Sequence, residues 1–279
     1  MAQRDVPSDA KIAVSGFRHF FDTADGPVQA TDKLDVTIRA GEFVTLVGPS
    51  GFGKTTLLKA LAGFIRPTEG TILFDGEPVR GPGRERGVVF QELAILPWRT
   101  VRRNIGHGLE IARVPRAERE RTIARLIELT GLSGFEDRYP HELSGGMRQR
   151  VAVARTWAAD PDAILMDEPF AAVDAMTRLT LQEELVRLCT ATRKTVFFIT
   201  HSVDEAVFLA DRVLVMSRRP GRIKAMIDVP GRLAGRDWET FKVDAAMQAI
   251  VEQVLRLVRE ERGAAAVVSA PSAPKGARL

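Results

Sequence analysis

Residues 42–47 are an almost unbroken apolar run that stops at Gly48-Pro49-Ser50-Gly51-Phe52-Gly53-Lys54-Thr55, after which residues 54–63 take helical spacing. A short run of this kind suits a strand covered on both faces. A glycine, four residues and then Gly-Lys-Thr is the spacing of a phosphate-binding P-loop, here in the strand–loop–helix setting the chemistry requires. Glycines let consecutive backbone N–H groups turn inward as an anion nest, and the helix that follows adds the positive end of its dipole. On this reading Gly48, Pro49, Ser50, Gly51, Phe52 and Gly53 wrap the phosphates of a nucleotide, with Thr56 in the first helical turn. Lys54 reaches the β- and γ-phosphates, and the Thr55 hydroxyl ligates Mg²⁺.

The rest of the chain bounds what such a loop can serve. With 279 residues, 45% of them hydrophobic, and 40 Lys+Arg against 36 Asp+Glu, the chain can bury a core without disulfide or metal staples. The lone Cys189 cannot form an internal bridge, which points to a cytosolic setting. Residues 1–11 carry charge and no apolar run, so they do not read as a secretory signal, and they are expected to be flexible up to position 10. All apolar runs fall far short of the ~20 residues needed to cross a bilayer, so a membrane role would be peripheral. The net charge of +4 is spread over short clusters such as Arg99/Arg102/Arg103, without interleaved aromatics, and no nucleic-acid groove is expected.

Strand patterns at residues 11–18, 34–39, 71–74, 87–90, 163–166, 195–200 and 212–216 are separated by helix-period segments at 117–130, 147–159 and 178–189. This alternation predicts an α/β fold: a P-loop NTPase core with a mixed sheet and an N-terminal antiparallel β subdomain. The block from about 92 to 160 holds no strand pattern beyond its start and reads as an inserted α-helical subdomain. The nucleotide-binding domain is expected over 11–230, a C-terminal helical extension over 231–262 with its helix at 241–260, and a loose Ala/Ser/Pro/Gly-rich tail over 263–279.

Two further motifs narrow the chemistry. The apolar run Ala163-Ile164-Leu165-Met166 ends in Asp167-Glu168-Pro169, so Asp167 can hold the Mg²⁺ shell while Glu168 faces an attacking water. Between this strand and the P-loop lies Leu143-Ser144-Gly145-Gly146-Met147-Arg148-Gln149-Arg150. Ser144 can cap the helix that follows, and Gly145 and Gly146 bare its N-terminal amides as a second anion site.

Taken together, P-loop, signature and Asp-Glu strand resemble the nucleotide-binding subunit of an ATP-binding-cassette transporter, from about residue 12 to 227. The resemblance implies ATP and Mg²⁺ as cofactors and a head-to-tail homodimer, in which Ser144, Gly145 and Gly146 of one copy close on the γ-phosphate held by the P-loop of the other. It implies Glu168 as the catalytic base, His201 as the switch histidine, and Gln91 as the glutamine that touches Mg²⁺ and the water. It also implies Asp174 as the aspartate at the dimer seam and an aromatic platform for adenine, for which Phe21 is chosen over Phe20. The other histidines, His19, His107 and His141, match no such position. Phe52, Met147 and Val173 depart from the family pattern, and none of them removes a reacting group.

Longer strings, among them Leu96-Pro97-Trp98-Arg99-Thr100-Val101 and Thr200-His201-Ser202-Val203-Asp204-Glu205-Ala206, look like the nitrate/sulfonate/taurine class of bacterial importers. That class implies two transmembrane permease subunits, indirect partnership with a periplasmic or extracytoplasmic solute-binding protein, and a place on the cytoplasmic face of the cell membrane. Leu96-Pro97-Trp98 is the expected seat of a permease coupling helix. The alternative is a soluble cassette ATPase acting on nucleic acid or ribosomes; it calls for a coiled-coil insertion, zinc cysteines or tandem cassettes, and one cysteine and one P-loop argue against it.

Overall fold

A computed structural model of the chain describes residues 9–268, except positions 219, 232 and 234. Its first strands, β1 (Ala10–Thr23) and β2 (Gly26–Arg39), form a long antiparallel hairpin that β4 (Glu69–Phe74) and β5 (Glu77–Pro78) extend in the order β2-β1-β4-β5. Both hairpin strands run past the predicted segments. The additional residues form the polar far end of the ribbon, where Phe20 pairs with Gln29 and Phe21 with Val28.

The second sheet has the order β10-β9-β3-β8-β7-β6, from β3 (Phe43–Val47), β6 (Arg86–Val89), β7 (Ala163–Asp167), β8 (Thr195–Thr200), β9 (Arg212–Met216) and β10 (Ile223–Asp228). Its strands are parallel except β10, which runs antiparallel to β9, giving the mixed sheet expected. The apolar runs have a physical cause: this sheet is covered on both faces. Val44 and Leu46 point toward the antiparallel sheet and α1 (Lys54–Leu61), while Phe43 and Val47 point toward the helices of the other side. Each fully buried apolar side chain of this kind stabilises by about 1.5–3 kcal/mol.

Between β6 and its neighbour β7 the chain leaves the sheet through α2 (Val101–Ile105), α3 (His107–Ile111), α4 (Arg116–Leu129) and α5 (Gly145–Ala158). This is the inserted helical subdomain, and no strand is assigned within it. Asn104, fully buried, ties its entry together: its side chain accepts from Leu96 N and donates to Leu96 O, Arg99 O and Thr100 O. After β7 come α6 (Ala175–Thr192), β8, α7 (Val203–Leu209) and β9.

The C-terminal extension departs from the sequence reading in two ways. The single helix expected over 241–260 is two, α8 (Trp238–Val243) and α9 (Ala245–Val268), divided at Asp244. Asp244 is extended (φ −73°, ψ 110°), and its carboxylate accepts from Ala246 N and Met247 N, capping the second helix. In addition α9 runs on to Val268, so residues 263–268, read as tail, are helical. Alanine is the strongest helix former, and three of these residues are alanine. Residues 269–279 of the expected tail, and 1–8 of the expected flexible N-terminus, lie outside the described residues. The extension is anchored by aromatic packing: Trp238 stacks on Phe208 of α7 with centroids 4.0 Å apart, and Phe241 meets both rings edge-on.

Candidate functional site

The P-loop lies at the C-terminal ends of the parallel strands and is gripped from two sides. Gly53, at the N-terminus of α1, takes φ 92°, a conformation glycine alone adopts cheaply. A Cβ there would lie 2.7 Å from Thr31 Cγ2 and 2.9 Å from Ala30 O, so β2 presses directly on the turn. At the start of the loop a Cβ on Gly48 would meet Met216 O of β9 at 3.0 Å. Lys54 is buried, and its ammonium donates to Gly48 O and Pro49 O, each at 2.8 Å. Burial pushes its pKa down, while the nearby Glu168 and Asp167 carboxylates pull it up. Thr55 and Ser50 are exposed at the mouth of the loop and Thr56 is buried behind it.

Asp167 ends β7 and is buried beside the P-loop. Burial raises its pKa above the usual carboxylate range, against a hydrogen bond with the Thr55 side chain and the charge of Lys54. Asp167 and Thr55 thus form a contiguous pair of hard oxygen donors of the kind Mg²⁺ takes alongside phosphate and water.

Glu168 follows in the left-handed region at φ 46°, uncommon for a residue with a side chain. Its N–H donates to Ile199 O of β8 at 3.0 Å, which holds this conformation. Strain of this sort is retained where surrounding structure over-determines it, and it aims the carboxylate at the next strand's end. There His201 stands just beyond β8, with Nδ1 3.3 Å from Glu168 Oε2.

Lys54, Thr55, Asp167, Glu168 and His201 therefore meet through direct contact or charge. Outside the P-loop and its helix, the other predicted residues lie on separate elements. Ser144 caps α5 as expected, its Oγ accepting from Met147 N at 3.2 Å, while Gly146 is buried against α6. A Cβ on Gly146 would come within 2.6 Å of Thr177 Cγ2. Gly145 is exposed at the same helix start. Asp174 caps α6 and accepts from Thr177 N at 3.0 Å; that backbone bond holds its carboxyl below the usual range. Gln91 is exposed in the bend after β6, two residues past the strand rather than at its end. Phe21 is 41% exposed near the end of the hairpin, and its neighbour His19 meets the ring edge-on at 4.6 Å between centroids.

Some residues beside the site were not singled out from the sequence. Glu205 is buried behind His201, where it accepts hydrogen bonds from the Thr200 hydroxyl and, at 2.5 Å, from Gln182 Nε2 of α6. Burial pushes its carboxyl up. Arg178, also of α6, lines the small cleft shared by Glu168, His201 and Glu205 and donates to Val173 O. The sequence string around Glu205 was noted only for its likeness to a transporter class; that a carboxylate would be buried there is a matter of tertiary contacts.

Comparison with known proteins identifies the family. The family described as ABC transporter matches residues 31–171, half of the chain. This chain belongs to the ABC transporter family. An uncharacterised ABC transporter ATP-binding protein of Methanocaldococcus jannaschii is 52% identical over 219 residues, covering 78% of this chain and 82% of the relative. The taurine import ATP-binding protein TauB of Rhizobium johnstonii is 50% identical over 202 residues, covering 72% of this chain and 77% of that protein. Its counterpart in Pseudomonas putida is 46% identical over 242 residues, covering 86% and 92%. Among solved structures, a dimeric ATP-binding cassette in a post-hydrolysis state bound to ADP and Pi superposes with a TM-score of 0.70 at 27% identity, covering 79% of this chain and all of that one. The cassette is an ATP-binding ATPase, and the resemblance drawn from its three motifs is borne out. Among the described residues no helix is long and apolar enough to cross a membrane.

Proposed function

We propose that this ATPase powers uptake of a small anionic solute, such as a sulfonate, taurine or nitrate, as the peripheral subunit of a bacterial importer. The observation that carries the chemistry is the Glu168–His201 pair at 3.3 Å beside the P-loop lysine. The direction of transport and the class of cargo rest on the identity of 46–50% with taurine import ATP-binding proteins. The solute itself would touch the permease and a binding protein rather than this chain.

In this reading the P-loop amides, Lys54, Thr55 and Thr56 hold the triphosphate, and Phe21 stacks on the adenine. Glu168 accepts the proton of the attacking water, while His201 orients Glu168 and donates to the γ-phosphate. Thr55 and Asp167, with the Gln91 amide, would hold Mg²⁺, which supplies charge neutralisation at the β- and γ-oxygens. Ser144, Gly145 and Gly146 serve the ATP of a second copy, and Asp174 lies at the seam between the two. Nucleotide-dependent pairing would then convert hydrolysis into motion.

The nucleotide-binding domain is assigned to residues 11–230, with its helical subdomain at about 92–160 and the helical extension following from 231. Two permease subunits, one on each copy, would dock at Leu96-Pro97-Trp98 and along the cleft between the sheet and the helical subdomain, whose lining includes Ala94 two residues before that segment. That cleft holds about 440 Å³ and is lined by Phe64, Phe90, Ile111, His107 and Arg155, with Phe64 and Phe90 in ring contact at 5.8 Å. Docking there would set the chain on the cytoplasmic face of the cell membrane.

The test is reconstitution of the chain with the permease and binding protein encoded beside it. ATP-dependent accumulation of labelled taurine or an alkanesulfonate is expected, and it should vanish with Lys54→Ala, which should also lose nucleotide binding. Efflux rather than uptake, or transport of cationic solutes alone, would refute the importer assignment.

A further inference from the structure

The far end of α9 is joined to the P-loop by a single short loop. Glu261 of α9 is used twice: Oε1 pairs with the Lys224 ammonium of β10 at 2.9 Å, and Oε2 accepts from Arg218 N at 2.9 Å. Its side chain is only 14% exposed, against 54% for its neighbour Glu260, which pairs with the same lysine at 2.8 Å. Lys224 also donates to Leu257 O, so both the helix backbone and its carboxylates hold the β9–β10 hairpin.

Arg218 opens the loop between β9 and β10, and the loop closes on itself through Ser217 N to Arg222 O at 2.8 Å. Its inner residue is Gly221, which pairs with β2: Gly221 N donates to Ala30 O at 3.0 Å and Asp32 N donates to Gly221 O at 2.9 Å. Arg222 and Arg18 converge on the Asp32 carboxylate and reinforce this seam. On its other side Gly221 lies flat against the P-loop, where a Cβ would run into the Phe52 carbonyl oxygen and Met216 Cε. Ala30 and Thr31 of this same β2 stretch are the residues that press on Gly53. The wall behind the Phe52–Gly53 turn is therefore built from β2 and this loop together, and the loop is held at its outer end by α9.

We propose that α9 is a positioning strut for ATP binding: Glu261 fixes the β9–β10 loop, and Gly221 in that loop fixes the Phe52–Gly53 turn whose amides face the phosphates. The proposal rests on the P-loop being the ATP site. Glu261 is a positioning residue and touches no reacting group. Loss of the strut loosens a preorganised nest, so it weakens ground-state nucleotide binding and leaves the hydrolytic step itself intact.

The experiment compares steady-state ATPase and equilibrium ATP affinity in the full chain and three variants. Glu261→Ala is expected to raise the ATP KM about threefold or more with kcat within about twofold of the parent. Glu261→Gln, which can still accept from Arg218 N, should fall between. Glu260→Ala removes only the exposed pair and should leave KM as it was. Gly221→Ala, which forces the loop off the Phe52 carbonyl, should raise KM further. Hydrogen exchange supplies a second readout, with amides 52–56 expected to exchange faster in Glu261→Ala than in Glu260→Ala. Unchanged KM in both Glu261→Ala and Gly221→Ala would overturn the strut, as would an equal effect of Glu260→Ala and Glu261→Ala, which would signify general loosening of the helix. Either result leaves ATP hydrolysis by the parent chain standing; the ATP-site reading would fail only if the parent itself neither bound nor hydrolysed ATP.

Discussion

His201 Nδ1 stands 3.3 Å from Glu168 Oε2 although the two residues are 33 positions apart. The cause is sheet register. β7 and β8 are parallel neighbours with Asp167 opposite Ile199, so the residues that follow each strand emerge side by side. The hydrogen bond from Glu168 N to Ile199 O then turns the glutamate toward its partner. If Glu168 is the base, as proposed, it depends on its neighbour for direction and on its own carboxylate for proton transfer.

That division gives the first prediction. Glu168→Gln keeps size and hydrogen bonding to His201 but removes the basic oxygen, so ATP affinity should persist while phosphate release falls by about 10²–10⁴-fold, the usual range for general-base catalysis. The stalled variant should also accumulate as an ATP-bound dimer in sedimentation. Phosphate release at the parent rate would exclude Glu168 as the base.

The P-loop, the Asp-Glu strand and the signature were legible because each is a local string whose chemistry needs fixed spacing. Five strands of the six-stranded sheet were legible for a similar reason: burial on both faces writes continuous apolar runs such as Phe43–Val47, whereas the part-exposed edge strand β10 has no such run and was missed. What was not legible depends on contacts between distant segments. The pairing of Gly221 with Thr31 and the burial of Glu205 against Gln182 leave no periodicity in the sequence. The break at Asp244 was missed because the apolar stripe continues across it, whereas a cap acts through one side chain and two backbone amides. Helix beyond position 263 was missed because low-complexity alanine reads equally as tail or as helix.

Gly146 offers a test of signature geometry. Its missing side chain lets α5 approach α6, and an added methyl would lie 2.6 Å from Thr177 Cγ2. Overpacking of this type costs about 1–3 kcal/mol and shifts the helix start. Gly146→Ala should therefore lower both thermal stability and ATPase, and adding Thr177→Ser, which removes the opposing methyl, should restore much of each. A double variant no better than Gly146→Ala alone would show that the clash is not the cause.

Asp167 predicts a pH dependence of stability. Burial raises its folded-state pKa above the unfolded value, so the native state holds the proton more tightly. The contribution of Asp167 to stability, in protein free of nucleotide and magnesium, should then be most favourable below the ordinary carboxylate range and decline as pH rises from there to the raised value. Asp167→Asn cannot ionise and escapes the decline. At pH 7 it should melt at a higher temperature than the parent, the gap narrowing toward acid pH, while its ATPase collapses. A lower melting temperature for the variant at pH 7 would mean that the contacts of Asp167 with Thr55 and Lys54 outweigh its desolvation.

The proposed permease cleft can be tested apart from the chemistry. Ile111 and Phe64, 61% and 50% exposed, line the cleft, and Trp98, 70% exposed, follows four residues after Ala94 of the same lining. Isolated substitutions at such exposed positions change folding stability by no more than about 0.5 kcal/mol, so Trp98→Ala and Ile111→Ala should fold and hydrolyse ATP as the parent does. If a permease segment inserts here, its affinity should drop about tenfold or more with each substitution, as expected for an aromatic or aliphatic anchor at the centre of an interface. Val243 is 82% exposed at the end of α8, and Val243→Ala is the matched control, expected to bind the permease normally. Binding measured in nanodiscs that leaves Trp98→Ala and Ile111→Ala indistinguishable from this control would place the permease contact elsewhere on the subdomain.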